Sequence, residues 1–171
     1  IKYIHAFLPS DCEVIGVEKS LPMVEKCKAN LESLQYKSNI AIRHEDLLDT
    51  EIENASLVIM NLTLQFIPLK DRDAVLKKIV NGLTEGGILI LFEKVTFEDT
   101  DEQSLLDRLY FDFKLANGYS KLEIAQKREA LENVLISDTI PELRRRAKRS
   151  GFRKTEVISQ CLNFAGLIAV K

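Results

Sequence analysis

Residues 56–92 read SLVIMNLTLQFIPLKDRDAVLKKIVNGLTEGGILILF, and this stretch decides the fold. Ser56–Leu62 is an apolar run suited to a strand covered on both faces. Helical spacing follows over Leu69–Leu83, where Val75, Leu76, Ile79, Val80 and Leu83 supply one inward face. The sequence T-E-G-G stops that helix, and Ile88–Phe92 (ILILF) is a second apolar strand. A strand, a helix and a strand in this order imply a right-handed crossover between parallel neighbours. Towards the N-terminus the pattern repeats. Residues 13–17 (EVIGV) form a β-branched run ending at Glu18, and Ser20 and Pro22 suit a helix start. Met23, Cys27, Leu31 and Leu34 follow at helical spacing, and Asn39–Arg43 (NIAIR) reads as another strand. Beyond residue 100 the character changes. No strand is expected over about 101–147, where helices break near Asn117-Gly118 and before Pro141. Arg153–Gln160 alternates and Asn163–Val170 is apolar, with only two residues between them, so they should pair as an antiparallel hairpin.

The expected architecture is therefore α/β, a mostly parallel sheet closed by an antiparallel C-terminal hairpin. The helical segment at about 101–149 is inserted before the hairpin, and residues 1–171 are expected to form one domain. With 24 basic and 26 acidic side chains the net charge is −2, which gives no bulk attraction to nucleic acid. No run approaches the length of apolar sequence a membrane helix needs. The opening IKYIHAFLPS lacks the basic start and long apolar core of a signal peptide. Three cysteines (Cys12, Cys27, Cys161) are too scattered for a disulfide framework or a zinc site, so a reducing, cytoplasmic compartment is expected. His5 and His44 have no ligand-spaced partners, and no metal is expected. The seven glycines form no G-x-G, which excludes a Walker loop and a complete dinucleotide fingerprint within these residues.

Open α/β sheets bind ligands at the carboxyl ends of their strands. Those ends carry Glu18, Asp46, Asn61 and Glu93-Lys94. An acid directly after a strand can accept hydrogen bonds from both hydroxyls of a ribose, the reading preferred for Glu18. Asp46 can accept from an adenine amino group, and Asn61 offers a donor and an acceptor to a cofactor's polar tail. The bland alternative is that such acids merely cap the following helices. Arg128, in Q-K-R-E, could bind a carboxylate through two parallel hydrogen bonds. From spacing alone, an exposed helical ion pair with Glu132 is the preferred reading. Tyr119 could direct its phenol at a ligand or cover the core. Seven basic residues lie between 144 and 154 with no acid among them, a pattern that can contact phosphates. No aromatic residue interleaves with them, and a solvated helix end is the preferred reading.

The segments ENASLVIMNLTLQF (53–66), EKVTFED (93–99), FDFKLANGYS (111–120), EIAQKREALENV (123–134) and SQCLNFAGLIAVK (159–171) resemble carboxy-S-adenosyl-L-methionine synthases. These enzymes share the class I methyltransferase-like, Rossmann-like fold. The resemblance begins near residue 13 and keeps the family's order to the C-terminus. It implies that S-adenosyl-L-methionine and prephenate give carboxy-S-adenosyl-L-methionine and phenylpyruvate. The product serves a separate enzyme that modifies uridine at the tRNA wobble position. It further implies Arg128 on the transferred carboxylate, Asn61 on the cofactor, Asp46-Leu47 around adenine and Glu18-Lys19 around ribose. Tyr119 is a candidate for the donor pocket. The family pattern has Asp-Asn where this chain has Glu18-Lys19, which keeps the acid and changes its neighbour. A homodimer without direct nucleic-acid binding is implied, and the family's first strand with its Gly-rich turn is expected before Ile1. A conventional S-adenosylmethionine-dependent methyltransferase, acting on tRNA or a small molecule, is the alternative. A non-catalytic module that binds the nucleoside is a second alternative.

Overall fold

The computed structural model describes residues 7–9, 11–32 and 39–171. Leu34 and His5 lie outside the described residues. The chain forms two compact units, Ile1–Glu51 and Ile52–Lys171.

In the first unit, β1 (Glu13–Glu18) leads into α1 (Leu21–Glu32), and β2 (Asn39–His44) lies parallel to β1 from Glu13↔Asn39 to Glu18↔His44. The β-branched runs become strands, as expected. Ser20 precedes α1 and its carbonyl accepts from the Met23 and Val24 N–H groups. Pro22 occupies the first turn, where its missing N–H costs no helical bond.

The second unit holds β3 (Ala55–Asn61), α2 (Leu69–Gly82), β4 (Leu83–Lys94), α3 (Thr100–Ala116), α4 (Lys121–Leu131), α5 (Ile140–Ser150), β5 (Lys154–Cys161) and β6 (Phe164–Val170). Its sheet runs β3-β4-β6-β5, with β3 parallel to β4 and the other two pairings antiparallel. The C-terminal hairpin thus forms as its alternation predicted, and β6 inserts beside β4. One residue register buries Leu89 and Leu91 on β4 with Leu167 and Ala169 on β6. Val75, Leu76, Ile79 and Val80 supply the buried stripe of α2.

Two local expectations change. T-E-G-G does not form a loop after α2: Thr84–Gly87 lies within β4, whose register with β3 shifts between Ala55 and Leu57. The break falls at Gly82 instead. A Cβ there would stand 2.1 Å from the Ile52 carbonyl oxygen, so only glycine lets the helix end pass this backbone. Second, β3 is not covered on both faces. Leu57 and Ile59 keep 42% and 41% of their surface exposed. β3 is an outer strand of this sheet, and an apolar run cannot by itself tell an outer strand from a central one.

Buried charges connect the helices of the second unit. Arg72, 1% exposed on α2, donates to the carbonyls of Gln65, Ile67 and Ile136 and to Asp138 at 2.8 Å. Asp138 also accepts from Arg146 of α5 at 2.8 Å, and Arg146 reaches Asp73 at 2.7 Å. Arg149 bonds Asp73 and Glu142, Arg145 bonds Glu142, and Arg144 bonds Glu156. The basic run is the expected solvated end of α5 at Arg144, Arg145, Lys148 and Arg149, and among its basic residues only Arg146 is buried. Four of its arginines face carboxylates that come from α2, the start of α5 and β5. Pattern within the run could not reveal this, because Asp73 lies 73 residues from Arg146.

Among the described residues, no helix is long and apolar enough to cross a membrane. Cys12, Cys27 and Cys161 are free thiols.

Arg72→Met should destabilise the protein by about 3–5 kcal/mol, because it leaves the Ile67 and Ile136 carbonyls without a donor and removes one of the two arginines that neutralise Asp138. Urea unfolding checks this, and a loss below about 1 kcal/mol would show the network to be incidental. Acid should also weaken α5. The guanidiniums of Arg149 and Arg145 hold the Glu142 carboxyl below its ordinary value of 4.5. Its stabilising contribution is complete above that value and is lost as pH falls through the depressed folded one. Melting temperature should drop more steeply below about pH 4.5 in the parent than in Glu142→Gln. Equal slopes would count against the pairing.

Candidate functional site

In the first unit the candidate residues gather at the carboxyl ends of β1 and β2. Glu18 Oε1 accepts from the Ser20 N–H at 2.7 Å. The capping alternative for Glu18 is thus real, yet it uses one carboxylate oxygen and leaves Oε2 for a ligand. Lys19 Nζ meets Asp46 Oδ2 at 2.5 Å, and Asp46 Oδ1 accepts from the Leu48 N–H at 2.9 Å. The Asp46 charge, through a hydrogen bond and its field, raises the Lys19 ammonium above its ordinary value. His44 Nε2 lies 2.9 Å from the Lys19 carbonyl oxygen, which ties the two strand ends together. Glu18, Lys19, Asp46 and Leu47 are therefore brought to one end of one parallel strand pair.

In the second unit Asn61 closes β3, opposite Phe92 in register. Its side chain is exposed and makes no hydrogen bond among the described residues. Leu62 follows with φ of 55°, a left-handed conformation that a branched residue adopts at a cost. A buried carboxylate holds the turn in place. Glu93, 2% exposed, accepts from the Thr63, Leu64 and Gln65 N–H groups at 3.0, 2.8 and 3.1 Å. Burial pushes the Glu93 carboxyl up, against the three N–H bonds and the charge of Arg72. Gln65 Oε1 in turn accepts from the Lys94 N–H at 2.9 Å. Glu93 is thus a positioning group for the Asn61 turn and has no role as a ligand contact. The strand-end rule marked it without distinguishing these uses.

Asn117 and Gly118 end α3, with Gly118 at φ of 87°. Ser120 then caps α4 in a reciprocal box: its Oγ accepts from the Glu123 N–H, and Glu123 Oε2 accepts from the Ser120 N–H. This S-x-x-E spacing was present in the sequence as a helix-start signal, unused. It fixes Tyr119 just before the helix and Arg128 two turns into it. Tyr119 is 49% exposed, which removes the alternative of a core cover. Arg128 is also exposed, and among the described residues it makes no ion pair with Glu132 or any other acid. Spacing alone had favoured that pair. Glu132 lies at the C-cap of α4, and its N–H bonds back to the Glu129 carbonyl.

Tyr110 of α3 stands edge-on to Phe164, with ring centroids 5.3 Å apart. Lys114 Nζ sits 4.1 Å and Lys94 Nζ 6.0 Å from the Tyr110 ring centroid. Among the described residues, no group of three or more His, Cys, Asp or Glu side chains is gathered for a metal ion.

A methyltransferase-domain family model matches residues 1–87. The chain is 48% identical over 160 residues to the carboxy-S-adenosyl-L-methionine synthase of Shewanella loihica, covering 94% of this chain and 66% of that protein. The corresponding enzyme of Shewanella oneidensis is 47% identical over 161 residues, with the same shares covered. The chain therefore spans 66% of the length of these curated relatives. Among solved structures, a Bordetella parapertussis protein described as possibly exported aligns with a TM-score of 0.68 and 11% identity, covering 99% of this chain and 65% of that one. Human N-acetylserotonin methyltransferase, solved with S-adenosylmethionine, aligns with a TM-score of 0.59 and 16% identity, covering 94% of this chain and 40% of that one. These two likenesses establish the fold. The chain belongs to the methyltransferase-domain family and is a homologue of the carboxy-S-adenosyl-L-methionine synthases.

Proposed function

We propose that this protein makes carboxy-S-adenosyl-L-methionine and phenylpyruvate from S-adenosyl-L-methionine and prephenate. The observation that carries the reading is Arg128. It is a permanently charged, exposed guanidinium that pairs with no acid among the described residues, held on a capped helix inside the N-G-Y-S…Q-K-R stretch. An ordinary methyl transfer needs no such group, whereas a carboxylated cofactor presents an anion that it can hold through two parallel bonds.

Each unit, taken by itself, carries donors or acceptors that S-adenosylmethionine can use. Glu18 has a carboxylate oxygen for ribose hydroxyls, Asp46-Leu47 take the adenine side, and Lys19 holds the Asp46 carboxylate in place. Asn61 supplies an amide to the cofactor, Arg128 binds the transferred carboxylate, and Tyr119 contributes to the donor pocket. The bound sulfonium makes its adjacent methyl protons acidic. Prephenate becomes aromatic on losing carbon dioxide and hydroxide; the hydroxide takes a methyl proton to form water, and the ylide carbon left behind bonds the released carbon dioxide, so the chain need supply no base. Its own residues orient the partners and hold negative charge. The reading includes a single working domain, a homodimer, and delivery of the product to a separate tRNA-modifying enzyme. Four arginines of the basic run are already engaged by the chain's own carboxylates, which favours delivery over direct tRNA binding.

Incubation with S-adenosyl-L-methionine and prephenate should yield a cofactor heavier by about 44 Da, read by mass spectrometry. No such product, with methylated RNA or small molecule instead, would identify an ordinary methyltransferase. Binding without turnover would identify a nucleoside-binding module. Arg128→Leu should weaken binding of the carboxylated cofactor about tenfold or more while S-adenosylmethionine binding changes much less. Equal losses for both would remove the assigned role.

A further inference from the structure

Three ammonium groups of the second unit act on one another and make no ion pair among the described residues. Lys94 ends β4, Lys114 lies in the last turn of α3, and Lys127 lies on α4 beside Arg128. Lys114 sits on the face of Tyr110, with Lys94 also within reach of that ring. The ring is held by Phe164 at the start of β6. Lys94 and Lys127 both act on Lys114 as like charges and, together with its burial, lower its affinity for a proton. Among the described residues none of the three makes an ion pair.

The arginine network of this unit behaves differently. Arg72, Arg146 and Arg149 are each matched to carboxylates. Lysines that repel one another, attracted only by an aromatic face, are stable at a cost that a bound anion would remove. A tyrosine face offers part of the attraction a full negative charge supplies. The cluster also stands at the carboxyl end of β4, on the ligand-binding end of the sheet.

We propose that Lys94, Lys114 and Lys127 form an anion subsite, apart from Arg128, for the carboxylate that the donor keeps. This rests on the reading given under Proposed function, where the donor loses one carboxylate and its arylpyruvate product retains the other. Arg128 and the lysines then divide the two anionic groups of a dicarboxylate between them. A donor with a single carboxylate would leave one of the two sites unfilled.

Phenylpyruvate, which carries only the retained carboxylate, is the direct probe. Titration calorimetry should show Lys114→Met and Lys127→Met each weakening phenylpyruvate binding about 10- to 100-fold, the loss of one charge-assisted bond. Prephenate KM should rise in step, while S-adenosylmethionine affinity stays within about twofold and Lys114→Arg recovers most of the phenylpyruvate affinity. Unchanged phenylpyruvate binding in both Met variants would overturn the subsite. So would parallel loss of S-adenosylmethionine binding, which would indicate a packing role, or no phenylpyruvate binding by the parent protein. If the parent forms no carboxylated cofactor yet the Met variants lose phenylpyruvate, the synthase reading fails and the arylpyruvate subsite stands.

Discussion

The Arg72–Asp138 pair is the interaction on which the second unit depends. Arg72 is nearly inaccessible, and it satisfies carbonyls on two segments while it neutralises a largely buried carboxylate. One of those carbonyls belongs to Gln65, whose N–H bonds Glu93 and whose side chain accepts from the Lys94 N–H. The other segment, through Asp138, holds Arg146 and with it α5. The turn after β3, the end of β4 and the last helix are thereby fixed by one guanidinium. Lysine could not replace it, because a point charge cannot serve acceptors spread across a planar fork.

That geometry explains the placement of the candidate groups. Parallel pairing sends the carboxyl ends of β1 and β2 to one end of their unit, where Glu18 and Asp46 stand together. In the second unit the same rule places Asn61 beside the end of β4, and Glu93 holds the strained Leu62 turn that follows it. The rigid parts are buried carboxylates and backbone donors. The groups left exposed, Asn61, Tyr119 and Arg128, are those a ligand would have to satisfy.

Much of this was legible from periodicity. The parallel pairs, the helix break at Gly118 and the closing hairpin follow from apolar spacing and turn residues, which act locally. The charged network was not legible, since Arg72 sits in K-D-R-D like any solvated helix face and meets Asp138 only 66 positions later. For the same reason the run 144–149 resembled a bare basic patch until its acids were located in space. Arg128 shows the opposite error: helical spacing offers Glu132 as a partner, and no such pair forms among the described residues. Its proposed role is legible only through the resemblance of the surrounding motif.

The central claim concerns what Arg128 holds. A crystal structure of the protein with carboxy-S-adenosyl-L-methionine tests it most directly. The account predicts the added carboxylate within about 2.7–2.9 Å of the Arg128 guanidinium, as two parallel bonds require. A carboxylate lying in solvent, or bound by other groups with Arg128 turned away, would contradict it.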